Sequence, residues 1–278
     1  MERTAPAAPP DGSSPDDRLP DVAVLLDGMP RQRSAAAETT VEPREVEPRE
    51  AATTVPARRF DVRRGRRLFP TPTGTPFTFG YGAVLVAVSL VSARLSPALV
   101  HTLHQGSSTD VAHLVRTPML VLAASALWIA GGILSPYAVA LLFVLTALER
   151  RIGGMRTAAV FLLGHVGATL ATEGPVGVAV LAGHLPASSL HRLDYGVSFG
   201  VAASLGALAG LLRPWLRWPL LALFGWELAT DLIAFTDPLT DWGHPIALLT
   251  GIATWPLVRR WHHERHPQPA DQVLAGPS

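Results

Sequence analysis

From Phe79 to about Val258 the chain is a succession of apolar runs separated by short polar breaks. That alternation predicts a polytopic membrane domain. Inside a bilayer every backbone N–H and C=O has to find its partner within the protein, so the runs must be helices. Six spans are expected, at roughly 79–98, 118–148, 157–173, 195–212, 218–234 and 243–258. The second is long and broken near Ser135-Pro136. Several fall short of the ~20 residues that a full crossing takes.

The remainder of the chain has another character. Residues 1–75 are rich in Pro, Ala, Glu and Arg, with too few large apolar side chains to offset the entropy of ordering. Within them Val41-Glu42-Pro43-Arg44-Glu45 recurs at once as Val46-Glu47-Pro48-Arg49-Glu50, a low-complexity tract. We expect a disordered tail over 1–75, a membrane domain over 76–260 and a short tail over 261–278. No charged region followed by an apolar one opens the chain, so a cleaved signal peptide is not expected. With no cysteine, disulfides, thiolate metal sites and cysteine nucleophiles are excluded.

The placement of Arg orients the spans. Fourteen Arg flank one set of span ends: Arg58 to Arg67 before the first, Arg150, Arg151 and Arg156 after the second, Arg213 and Arg217 after the fourth, and Arg259, Arg260 and Arg265 after the last. The opposite ends have only Arg94, Arg116 and Arg192. The positive-inside bias then puts both termini in the cytoplasm. Residues 174–194 and 100–116 become outer loops. The stretch from Leu120 to Gly132 is either the first half of a long helix or a re-entrant element.

This orientation brings two polar residues to similar depth. Ser198, in Gly196-Val197-Ser198-Phe199-Gly200, and His244, after Gly243, each open a span on the outer side. At ~1.5 Å rise per residue both lie within about a turn of the outer interface. A serine hydroxyl is a poor nucleophile until a base takes its proton, and histidine has the pKa for that task. The neighbouring glycines permit the close helix approach that such a pair requires. The alternative for Ser198 is a hydrogen bond to a carbonyl one turn back. Histidine within a span is costlier and marks function by default.

A second polar set, His165, Thr169 and Glu173, is spaced by four and shares one helical face. It fits polar glue between helices, an oxyanion donor, a proton path, or a metal site with His184 or His244. Asp194 and Asp241 precede the two candidate residues. They are expected to cap helix N-termini, where an anionic oxygen accepts free N–H groups. Either would otherwise orient His244 as the third member of a triad. Glu149, Arg150 and Arg156 are expected to form a structural network. His101 and His104 have no evident partner, and His262, His263 and His266 are expected to be solvated.

These motifs together resemble the rhomboid intramembrane proteases. Leu148-Glu149-Arg150-Arg151-Ile152-Gly153-Gly154-Met155-Arg156 looks like their cytoplasmic turn, and Arg116-Thr117-Pro118-Met119 resembles their first loop. Gly196-Val197-Ser198 is similar to the glycine-x-serine of their fourth span. Gly243-His244 with Ala247 and Gly251 is similar to the histidine and small-residue ladder of their sixth. The resemblance covers about 180 residues and implies a six-helix bundle. It also implies a Ser198–His244 dyad and a Gly196-flanked oxyanion site, with no cofactor. Two departures stand out. Phe199 follows the serine where the family has glycine, and Ile133 and Tyr137 occupy the places of a His and an Asn that line the oxyanion site. Losing one such donor costs ~2.7–4 kcal/mol of transition-state stabilisation.

The expected function is therefore intramembrane serine proteolysis in a bacterial plasma membrane, on a transmembrane protein substrate near the outer leaflet. The rival is a catalytically silent relative that binds membrane-protein clients. A small transporter using the His165–Glu173 stripe is a third possibility, but inverted repeats and paired broken helices are absent. Lipid bilayer and protein client are the expected partners, not nucleic acid.

Overall fold

The computed structural model describes residues 69–267, and among these it contains ten α-helices, one 3-10 turn and no strand. In chain order they are α1 (Pro76–Ser92), α2 (Pro97–Gly106), α3 (Val111–Arg116), α4 (Pro118–Ser125), α5 (Pro136–Ile152), α6 (Gly154–Leu181), α7 (Ser198–Ala209), α8 (Pro214–Ala234), α9 (Pro238–Ala253) and α10 (Trp255–Arg265). The 3-10 turn, Ala187–His191, lies between α6 and α7. Proline at the first helical position starts six of them, where its missing N–H would be unsatisfied anyway and its fixed φ suits the helix. Side chains of Ser96, Asp110 and Ser135 cap α2, α3 and α5. The low-complexity repeat and the Arg cluster at 58–67 lie outside the described residues.

Several expected boundaries move. The break expected near Ser135-Pro136 is present: the region expected as the second span is two helices, because Gly131 and Gly132 turn the chain at φ 75° and 78° and Ser135-Pro136 restarts it. The expected outer loop over 174–194 is helical as far as Leu181, since α6 passes straight through Pro175. The helix expected as the fourth span begins at Ser198, and the one expected as the sixth begins at Pro238. Among the described residues no helix is long and apolar enough to cross a membrane. α1 and α5 have 17 residues and α7 only 12, while the 28-residue α6 carries Arg156, His165 and Glu173 within its length.

α7 is the centre of the bundle, flanked by α6 and α9. Every residue from Phe199 to Ala209 is buried. Its Ala- and Gly-rich sequence lets backbones meet directly. A side chain at Gly251 on α9 would collide with the Ala203 carbonyl, and one at Gly206 on α7 with the Leu248 carbonyl. Such small-residue contacts fix helix depth and rotation to within a fraction of a residue, because larger side chains cannot enter at all.

The Arg-rich end is tied by hydrogen bonds, though not as the expected network. Glu149 is buried and accepts from the Phe77 and Thr78 amides at 2.9 and 2.7 Å and from the Thr78 hydroxyl at 2.6 Å. It thereby caps α1, whose own N-cap residue supplies no side-chain bond. The arginines reach other partners: Arg150 the Phe69 carbonyl, Arg156 the Trp261 carbonyl and, at 2.7 Å, the Glu264 carboxylate, and Arg217 the carbonyls of Ala209, Gly210 and Leu212. Cations at the C-terminal carbonyls of α7 complement its dipole. α10 is anchored here by His262 on the Arg151 carbonyl at 3.2 Å, so this histidine is not simply solvated.

Candidate active site

The start of α7 is positioned by the turn after α4. The Gly196 amide donates to Ser125 at 3.1 Å and the Val197 amide to Trp128 at 3.2 Å. Gly196 stands at φ 131°, a conformation that side-chain-bearing residues rarely adopt, and this bend places Ser198 as the first residue of α7. Ser204, in mid-helix, bonds back to the Gly200 carbonyl at 2.7 Å. Ser198 makes no such bond, because the residue four back, Asp194, precedes the helix. The commonest structural role of a membrane-helix serine is thus closed to it.

His244 is buried on the first turns of α9, only 4% exposed. Its ring stacks on Tyr137 of α5 at 5.5 Å and 14°, and meets Phe199 edge-on at 5.2 Å and 75°. The Phe199 ring also lies against the backbone of Gly243, where any side chain would strike it. His244 therefore sits level with the residue after Ser198. No hydrogen bond joins Ser198 to His244, and His244 Nε2 is buried without a partner. Buried ring nitrogens normally find one.

Ser198 instead borders a small polar cavity between α6 and α7. The cavity has about 10 Å³ and is lined by His165, Thr169, Asp194 and Thr109 as well as Ser198. That is room for roughly one water-sized group. His165 Nε2 lies 3.1 Å from the Leu122 carbonyl and 3.1 Å from Ser125 Oγ. His165 Nδ1 and Thr169 Oγ1 are both buried and unpartnered.

Above the cavity Arg192 joins three acids. It meets Glu173 of α6 at 2.7 Å, Asp237 before α9 at 2.8 Å and Asp194 at 3.5 Å. Burial raises the carboxyl pKa of Asp194 above its ordinary value, against the pull of Arg192. Asp194 does not cap α7 as expected. The turn through Gly196 carries it away from the helix start, where it accepts from Thr109 at 3.1 Å. Asp241 lies within the first turns of α9 and accepts the Asp237 amide at 3.2 Å, so it serves that helix end from inside. It contacts neither ring nitrogen of His244 by hydrogen bond.

The polar stripe on α6 is divided: His165 and Thr169 face the cavity, while Glu173 belongs to the Arg192 hub. Among the described residues no three His, Asp or Glu gather to hold a metal, and His184 is exposed on the loop after α6. Sequence reasoning missed Ser125 and the Leu122 carbonyl as partners of His165, the Tyr137 stack, and the Arg192 hub. It also missed His104, which stacks on Tyr195 at 4.1 Å and meets Trp128 at 4.4 Å. Arg192 was legible as an isolated outer-side cation among acids. The others depend on which helices become neighbours.

A family model described as rhomboid-like protein matches residues 73–264, well over half of the chain. The chain belongs to the rhomboid-like family, and with it to the membrane proteins. No curated protein and no solved structure matches it.

Proposed function

We propose that this chain is a rhomboid-type intramembrane serine protease of a bacterial plasma membrane. Its six spans are built on α1, α5, α6, α7, α8 and α9, with both termini cytoplasmic. Ser198 is the nucleophile and His244 a base that takes its proton and returns it to the leaving amine. The Ser198 amide contributes to the oxyanion site. The observation that carries this reading is unspent hydrogen-bonding capacity at one level of the bundle. The Ser198 hydroxyl has no backbone partner, and the buried His244 Nε2 has none either. A purely structural Ser and His would satisfy themselves. In resting enzymes catalytic hydrogen bonds are often long and tighten only with substrate.

One observation favours the second reading, a silent client-binding relative. Phe199 and Tyr137 pack on His244 from two sides, at 5.2 and 5.5 Å, where the family pattern has glycine and asparagine. Ile133, at the other donor position, has no donor in its side chain.

Labelling of the purified protein in detergent by a fluorophosphonate or isocoumarin probe separates the two. Label on wild type that is absent from Ser198→Ala and much reduced in His244→Ala supports the protease. Folded wild type that takes no label from several probes leaves the client-binding reading.

A further inference from the structure

The second half of α6 and the short helix α3 enclose an apolar groove of about 620 Å³. Leu170, Gly174, Val178 and Leu181 succeed one another at three and four residues, so they share one face of α6. Val111 and Val115 are the contribution of α3. A side chain at Gly174 would meet nothing within 4 Å, so the groove runs through the space this glycine leaves. Glu173, the acid on the wall, is tied to Arg192 at 2.7 Å. Arg116, also on the wall, is exposed, and its side chain makes no hydrogen bond or ion pair among the described residues. The unspent charge of the groove is therefore positive. Its size separates two classes of occupant. A helix 10–12 Å across displaces ~500 Å³ in each turn, so the groove admits about one turn. An extended chain of about 16 carbons, each taking about the ~30 Å³ of a liquid water, needs ~480 Å³ and enters whole.

We propose that this groove binds one anionic phospholipid, with an acyl chain along α6 and the headgroup at Arg116. The proposal rests on the reading of α6 as a span, and it is independent of the chemistry at Ser198. The groove shares no lining residue with the cavity that Ser198 borders. Apolar walls alone would accept any acyl chain. The unpaired guanidinium supplies the selection, because a cation near the membrane surface favours lipid of negative charge. His191 on the groove wall also belongs to a polar pocket of about 400 Å³ containing Gln105 and His113. Apolar and hydrogen-bonding surface are thus continuous, as an amphipathic ligand requires.

The test uses the full chain in phosphatidylcholine vesicles with increasing fractions of phosphatidylglycerol that carries a dibrominated acyl chain. Because the chain has no cysteine, Leu181→Cys and Ile233→Cys each take a single bimane fluorophore, which bromine quenches on contact. Leu181 is 90% exposed on the groove wall, while Ile233, 83% exposed near the end of α8, lies outside the groove and is the control. The label at 181 should be half quenched at about fivefold less brominated phosphatidylglycerol than the label at 233, the enrichment that one cation near the surface supplies. Brominated phosphatidylcholine should quench the two alike. Gly174→Leu, which fills the groove, and Arg116→Gln, which strands no partner, should each bring the phosphatidylglycerol curves together. Coincident curves without those substitutions, or a fivefold gap that survives either of them, overturn the proposal and leave the span reading intact. So does a label at 181 that no lipid quenches while 233 is quenched, because a second copy or a protein client then covers the groove. Quenching at neither position overturns the span reading as well.

Discussion

Helices α7 and α8 follow one another in the chain and are held in opposite ways. α7 is buried from Phe199 to Ala209 and made largely of Ala, Gly and Ser, whereas the 21 residues of α8 bury only Leu228. α8 turns Trp215, Trp218, Leu223, Trp226 and Ile233 outward. In water that distribution would be inverted. In a membrane protein large apolar side chains lose nothing by facing lipid, and helices associate through close packing of small ones. The contrast teaches that the site's precision comes from the small residues around α7, while the bulkiest side chains carry little positional information.

The largest effect should come where backbones touch. Gly251→Leu forces a side chain into the Ala203 carbonyl and should destabilise the bundle by more than about 3 kcal/mol, read as a collapsed midpoint in denaturing-detergent titration. A tolerated leucine would break the comparison. Arg192→Met comes next: it strands Glu173, whose side chain is 1% exposed, and should remove about 3 kcal/mol in the same titration. Leu228→Ala, at the single buried position of α8, should cost about 2–3 kcal/mol by leaving a cavity. Trp226→Ala, at a residue 71% exposed on the same helix, should change stability by less than about 0.5 kcal/mol. Equal losses at 226 and 228 would show that α8 is gripped more tightly than its burial implies.

The smallest effect lies at the Arg-rich end. Hydrogen bonding from Arg260 and Arg156 holds the Glu264 carboxyl below its ordinary value of 4.5. A lowered acid pKa stabilises the fold above 4.5, and that contribution is lost as pH falls through the folded-state value. Fluorescence of Trp261, whose ring and carbonyl both contact Arg156, should therefore shift on acidification below 4.5, and Glu264→Gln should abolish the step.

By itself the sequence determined the class of fold, because apolar periodicity and the absence of cysteine leave few alternatives. It also placed Ser198 and His244 at one level, since depth along a helix follows from residue count. It marked Glu149 as structural from its position at a span end. The break near Ser135-Pro136 was legible, but other helix ends were less so: the run expected to end at 173 continues as α6 through Pro175 to Leu181. What only the tertiary structure decided was the rotation of each helix and the identity of its neighbours. Ser198 and His165 border one small cavity, Phe199 meets His244, Tyr137 supplies the stack, and Arg192 gathers acids from three separate segments. The physical reason is that a side chain's partners lie across helix interfaces. Those interfaces are set by where glycine lets two backbones approach, and the rotation that results is a property of the packed bundle, not of any one segment.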